Sequence, residues 1–316
     1  MKEDTALDIT LRPKYLKDYI GQEKVKEQIS LFIEASKKKS EVLDHVLING
    51  PPGLGKTTLA QVIANELKKN IVFTSGPLLE KKGDLAGILS QLEEGDILFI
   101  DEIHRLNPSV EETLYPAIED FRIDIIIGKG SSSRTVRIEL PRFTLIGATT
   151  RAGMLTSPLL SRFGIVLNMD FYDITSLKSV ILRSAKILSI EITEEGAFEI
   201  AKRSRGTPRT ANRLLKRVHD YSVVHYSGKI DKKIAQEALE FFEIDENGLD
   251  QNDKRYLFTL VKRFGGKPVG LSTLSSALSE SKSTIEELIE PYLLREGYIE
   301  RTPKGRIPTE KAIKLF

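Results

Sequence analysis

The sequence has no cysteine. That excludes disulfides and thiolate metal sites, and it fits a reducing compartment. Long apolar runs are missing too. No stretch approaches the ~18 residues that a membrane-spanning helix needs, and the opening "MKEDTALDIT" is too acidic and polar for a signal peptide. A cytoplasmic protein with no membrane contact is therefore expected. There is also little net charge. Lys and Arg number 47 against 45 for Asp and Glu, a formal net charge of +2. The chain is thus no general polycation, and any grip on nucleic acid must come from local patches. Histidines are few and scattered, at positions 45, 104, 219 and 225. Each is expected on the surface or satisfied in a core, with His104 in a structural or coupling role.

What is present is an ordinary globular composition, 40% hydrophobic and 29% charged over 316 residues, long enough for two or three domains. Residues 1–172 alternate short apolar runs with helical patterns. "HVLING", "IVFTSG", "DILFID" and "FTLIGAT" end at Gly, Asp or Thr, and segments such as "KTTLAQVIANELKK" separate them. Buried parallel strands joined by helices read this way, so the first domain is expected to be α/β with a parallel sheet. Residues 173–244 have helical periodicity, as in Leu177, Val180, Ile181 and Ala185, and predict a small all-α unit. "FEIDENGLDQND", residues 242–253, is acidic and carries Asn247-Gly248, so it reads as a linker to a third domain over 245–316.

The strongest local signal is "GPPGLGKT", with Gly50, Gly53, Gly55, Lys56 and Thr57. It follows an apolar strand and opens a helix, which is the context a phosphate-binding loop requires. Glycines let backbone N–H groups turn inward, and the helix start adds its positive end. Lys56 is expected to reach the β- and γ-phosphates of ATP, and Thr57 to ligate Mg²⁺. "DILFIDEIHRL" supplies two acids where a strand meets the ligand edge of the sheet. Asp101 is expected on the Mg²⁺ ion and Glu102 on the attacking water.

Three further segments follow in order. "IGATTR" puts Thr149 and Thr150 after another strand, where a hydroxyl is expected to touch the γ-phosphate or the attacking water, "SPLLSRFG" puts Arg162 in a short loop, and "GTPRTANRLLKR" puts Arg209 in the first turn of a helix capped by Thr207. An arginine there opposes the helix dipole and calls for an anion. Each of these taken alone could equally be an ion pair or a cap.

Two segments break the pattern. "RIDIIIGKGSSSRTVRIEL", residues 122–140, alternates around "GKGSSS" and predicts an inserted β-hairpin. It either packs on its own core or leaves apolar surface at Ile125, Ile126 and Ile127 for a partner. At the far end, Ser283 with Glu286 reads as a capping box opening a helix that Pro291 kinks and Gly297 stops, before "YIERTPKGRIPT". Helices followed by a small hairpin predict a winged helix. From 291 to 316 there are six basic side chains and three acidic ones, and Arg301 and Arg306 flank the turn, where they can meet phosphates.

The ordered set resembles the AAA+ ATPases, with "LRPKYLKDYIGQE" similar to the box that lies over the adenine in that class. Within it, "DEIHRLNPSVEETLYPAIEDF", "LIGATTRAG", "GGKPVGL" and "EPYLLREGYIERTPKGR" resemble the RuvB family of Holliday-junction branch-migration motors across all three domains. The resemblance implies ATP contacts at Leu11, Arg12, Gly53, Lys56, Thr57, Thr58, Glu119, Asp120, Phe121, Tyr172 and Arg209. It makes Arg162 an arginine finger acting on a neighbour's ATP, and so implies a hexameric ring on duplex DNA. It also implies wing contacts to DNA from Arg301 and Arg306, RuvA bound through the 122–140 hairpin, and RuvC in the resolving complex. A switch-type clamp loader or initiator of the same class is the alternative. It would release DNA after one hydrolysis rather than turn over steadily.

Overall fold

The computed structural model describes residues 10–127 and 134–316, and the side chains of all of these but 125–127 and 134–135. The chain divides into two compact units with the boundary between Tyr172 and Asp173.

In the first unit, β1 (Val46–Asn49), β2 (Ile71–Ser75), β3 (Ile97–Asp101), β6 (Thr144–Thr149) and β7 (Ile165–Asn168) form one parallel sheet in the order β2-β3-β6-β1-β7. Successive side chains of a strand point to opposite faces, and that alternation splits the core in two. Val46, Ile48, Ile97, Phe99, Ile146 and Ala148 face α1 (Glu23–Lys39) and α2 (Lys56–Leu67), with Ile29, Leu59 and Ile63 against them. Leu47, Leu98, Ile100 and Leu145 face α3 (Lys82–Leu89) and α4 (Pro108–Glu119), with Leu85, Leu89, Val110 and Leu114. Because both faces are covered, the central strands are largely apolar before they reach their carboxyl ends.

Parallel pairing places Asn49 opposite Thr149 and Ser75 opposite Asp101. The carboxyl ends of β1, β3 and β6 therefore share one edge. His45 is a satisfied core histidine. Its Nε2 lies 2.9 Å from the carbonyl of Ile118, its Nδ1 accepts from the N–H of Leu145, and burial lowers its pKa.

The expected hairpin is present as β4 (Arg122–Ile127) and β5 (Arg134–Glu139), paired antiparallel. Its base packs on the unit's own core through Ile123 and Leu140, and Asp124 pairs with Arg137 at 3.0 Å across the strands. The turn and the side chains of Ile125, Ile126 and Ile127 lie outside the described residues.

The second unit begins with a helical bundle, α5 (Ile174–Ile187), α6 (Glu194–Lys202), α7 (Pro208–His225) and α8 (Lys232–Phe241). Each helix starts on a side-chain cap: Asp173, Thr193, Thr207 and Asp231 accept from Ser176, Gly196, Thr210 and Ile234. The apolar periodicity is buried, as in Leu177, Ile181, Ile200, Leu214, Leu215, Val218 and Leu239.

The C-terminal part packs α9 (Gln251–Phe258), α10 (Leu271–Leu278) and α11 (Glu290–Arg295) with the hairpin β8 (Ile299–Thr302) and β9 (Gly305–Pro308) around Tyr256, Leu260, Leu274, Leu293 and Ile299. This is a winged helix. The helix start is two residues earlier than the sequence implies: Ser281, not Ser283, caps it, accepting from the N–H of Thr284 at 3.0 Å. Ile285–Ile289 widens into a π-turn just before α11. Pro291 has no N–H to give the carbonyl four residues back, and a wide turn absorbs the mismatch.

Candidate nucleotide site and nucleic-acid interface

The clamp loop runs from the end of β1 into α2. Gly50, Gly53 and Gly55 have φ of 152°, 81° and 98°, in the left-handed region open to glycine. The fit is tight as well. A Cβ on Gly50 would sit 2.6 Å from the carbonyl oxygen of Met169. Gly50→Ala is therefore expected to cost about 1–3 kcal/mol in backbone strain, read as a lower denaturation midpoint, and to weaken nucleotide binding with it. Lys56 is buried, and its ammonium donates to the carbonyls of Gly50 and Pro51 at 2.8 and 2.9 Å. A buried cation held by two loop carbonyls at a helix N-terminus fits an anion of phosphate size.

Beside the clamp, the N-terminal box is tied down. Glu66 of α2 accepts from the N–H of Leu16, and Asn65 donates to the carbonyl of Lys14. Gln22 accepts from the N–H of Asp170. Leu11 and Tyr19 are buried, and a Cβ on Gly21 would lie 2.6 Å from the Tyr172 ring. Burial pushes the Tyr172 hydroxyl up to about 12 and Tyr19 well above its ordinary value. The box, Tyr172 and the clamp thus form one wall, with the Tyr19 hydroxyl 3.0 Å from where a Gly55 Cβ would be. Sequence reasoning did not single out Tyr19 or Gly21. The signal was only a glycine before Gln22.

At the end of β3, Asp101 Oδ1 accepts from the N–H of Glu102 at 2.9 Å. Glu102 has φ 48° and pairs with Arg105 at 2.8 Å. A non-glycine residue held in that region stores backbone strain at the strand end. Thr149 behaves differently from the expectation of a phosphate-facing hydroxyl. It is buried, its hydroxyl lies 3.0 Å from His104 Nδ1, and it accepts from the N–H of Arg151 at 3.0 Å. Thr150 is the exposed one of the pair. The structure thus ties His104 to Thr149, linking the acidic strand to its neighbour.

Arg162 pairs with Glu119 at 2.9 Å, donates to the carbonyl of Pro158 at 2.5 Å and lies 4.5 Å from the Tyr115 ring centroid. Its Nε is buried without a hydrogen-bond partner. Glu119 ends α4, on the sheet face opposite α2, and Asp120 and Phe121 follow it, Phe121 at φ 51°. Two of the expected ATP contacts, Glu119 and Arg162, are therefore joined to each other. In the second unit, Arg209 is exposed in the first turn of α7, as its spacing predicted.

In the wing, Arg301 and Arg306 lie directly opposite each other. Both reach Glu290, a fully buried carboxylate. Arg301 Nε and Arg306 Nε donate to it at 2.9 and 2.8 Å, Tyr256 donates at 2.9 Å, and Arg306 also pairs with Glu286 at 3.1 Å. The Arg301 side chain is 45% exposed and that of Arg306 only 13%. No local pattern shows that one buried acid gathers both arginines.

A phosphate clamp with an acidic strand end, a helical bundle carrying an arginine at a helix start, and a winged helix together define a P-loop ATPase of the AAA+ type with a nucleic-acid-binding module. Family profiles match the whole of this arrangement: the Holliday junction DNA helicase RuvB P-loop domain over residues 11–169, the RuvB AAA lid domain over 172–245 and the RuvB C-terminal winged helix domain over 246–316. Among solved structures, the Thermotoga maritima RuvB Holliday junction branch migration motor is 53% identical, covering 97% of this chain and 98% of its own, with a TM-score of 0.88. A single-substitution mutant of the same protein is also 53% identical, covering 96% and 97%, with a TM-score of 0.89. The chain belongs to the RuvB family.

Proposed function

We propose that the chain is an ATP-driven motor that pulls duplex DNA at four-way junctions and so moves the branch point. The observation that carries this reading is the joining, in one chain, of a complete phosphate clamp around buried Lys56 to a winged helix. The work is divided among domains 1–172, 173–244 and 245–316. Lys56 exchanges its two loop carbonyls for phosphate oxygens. Gly53, Gly55 and Thr58 line the loop, and Leu11, Arg12 and Tyr172 line the base side. Thr57 and Asp101 are the residues to hold Mg²⁺, which supplies charge neutralisation on the phosphates. Glu102 orients the attacking water, with Arg105 fixing where its carboxylate sits. Thr150, rather than buried Thr149, offers a hydroxyl to the γ-phosphate, and Thr149 holds the strand end in register through His104. Arg209 meets the nucleotide from the lid.

Arg162 and Glu119, with Asp120 and Phe121, face the nucleotide of the next subunit in a ring, so assembly and turnover are linked. RuvA is the partner for the 122–140 hairpin and RuvC joins the resolving complex, all in the cytoplasm. Replacing Ile126 with Asp is expected to weaken RuvA binding while sparing basal ATPase. Titration of RuvA against the variant checks this, and unchanged affinity removes the hairpin from the interface. The motor itself is tested by ATP-dependent dissociation of a synthetic four-way junction, with and without RuvA, beside Lys56→Ala. Dissociation that needs ATP, RuvA and Lys56 supports the motor. Intact DNA-stimulated ATPase without dissociation supports a switch-type loader instead.

A further inference from the structure

Residues 242–253 read in sequence as an acidic linker, but in the structure Gly248, Leu249 and Asp253 are buried and the turn around them is tied down. Asp245 Oδ1 accepts from the N–H groups of Asn247 and Leu249, both at 2.9 Å, and Leu249 is fully buried. Asp250 caps α9. Into this turn reaches Arg205, from the loop that starts the lid helix α7. Its Nη2 is 2.7 Å from Asp250 and 2.5 Å from Asp253, and its Nε donates to the carbonyl of Gly248 at 3.0 Å. The Arg205 guanidinium lies 5.0 Å from the centroid of the Tyr292 ring of α11, and Arg295 lies 5.1 Å from the same centroid. Arg295 also donates to the carbonyl of Arg205 at 2.9 Å, and the Tyr292 hydroxyl donates to the carbonyl of Asn247. Arg203 adds a bond to the carbonyl of Ile244 at 2.9 Å. A Cβ on Gly248 would lie 3.1 Å from the Arg203 carbonyl oxygen and 3.2 Å from the Tyr292 hydroxyl.

We propose that Arg205 is the clasp that couples the two functions: it makes the lid loop leading to Arg209 and the winged helix one rigid body, so that lid movement is delivered to the DNA grip without slack. This rests on the motor reading. The physical case is one of stiffness. A flexible linker lets two domains reorient freely, and a displacement of one is then lost in the joint. A guanidinium fork that holds two carboxylates, a carbonyl and an aromatic face at once fixes both position and angle. Because Asp253 is only 1% exposed, salt screens its pairing little. Arg205 itself sits at φ 54°, so the backbone bends to aim the side chain into the turn. Only three residues separate it from Arg209, and the Thr207 cap and Pro208 among them stiffen the path.

The test uses the full chain carrying Arg205→Met or Arg205→Lys. Burial pushes the Asp253 carboxyl up to about 7 even beside Arg205. After loss of the cation it can take up a proton rather than remain an unpaired buried charge, which favours a folded Arg205→Met variant. Arg205→Lys keeps the charge but cannot serve all the partners at once. Three readouts are compared: basal ATPase, duplex affinity, and four-way-junction dissociation per ATP hydrolysed with RuvA present. Both variants are expected to keep the first two and to lose ~10-fold or more in the third, within the range of a coupling energy between sites. Unchanged dissociation per ATP in both variants overturns the clasp. So does a parallel fall of all three readouts with a lower melting temperature, which is the signature of a residue that only holds the fold. Failure of the unsubstituted chain to dissociate junctions overturns the motor reading instead.

Discussion

Arg162→Ala is expected to lower ATP turnover of the DNA-bound assembly by ~10³–10⁵, the range over which arginine fingers act, while leaving nucleotide affinity and melting temperature close to those of the unsubstituted chain. The structure separates these effects. Arg162 and Glu119 form a partly exposed pair, at 21% and 51% exposure, and such pairs add little to stability. Among the described residues Arg162 is held by Glu119, Pro158 and Tyr115, none of them part of the clamp. Its Nε is buried without a hydrogen-bond partner, so turning the side chain out toward a neighbour breaks only the Nη contacts to Glu119 and Pro158. Mixing decides whether the finger acts across subunits. Lys56→Ala subunits lack the clamp cation but keep the finger, and Arg162→Ala subunits have the reverse. If the finger reaches into the next site, an equimolar mixture contains interfaces with both groups intact and regains part of the turnover that neither variant has alone. A mixture as inactive as its components would place Arg162 in its own site.

The architecture was legible in the sequence because the signals are local. The apolar strands, the Thr207 and Pro208 helix start and the clamp glycines each act over a few residues, and all are found where the pattern puts them. The resemblance added the order of the domains. What could not be read were pairings over long separations. Nothing in "IGATTR" says that the first threonine turns inward to His104 and leaves the second exposed. Nor does the linker sequence announce that Arg205, more than forty positions from Asp250 and Asp253, is its main partner. Glu290 looked like one of three acids in "IEELIE", yet it is the fully buried one. Burial decides these roles, and burial depends on the assembled fold.

The wing carries the second large effect. Arg301→Ala, Arg306→Ala together are expected to abolish duplex binding at physiological salt while basal ATPase is retained, and the single variants are expected to fail for different reasons. Arg301 is nearly half exposed. Its removal leaves Glu290 held by Arg306 and Tyr256, so the fold survives and the slope of log affinity against log salt falls by about one, the value for a single lost phosphate contact. Arg306 is mostly enclosed and binds Glu286 as well as Glu290. Its removal leaves buried Glu290 to Arg301 and Tyr256 and takes away the contact to Glu286, at a cost of about 1–3 kcal/mol, and should lower the melting temperature and loosen the wing before any phosphate contact is counted. Normal duplex affinity in the double variant would exclude the wing arginines as the grip. Glu290→Gln separates position from charge. The substitution makes the wing more cationic, so charge alone predicts tighter binding and a steeper salt slope. If Glu290 sets where the two guanidinium groups sit, the same variant binds more weakly despite its added positive charge.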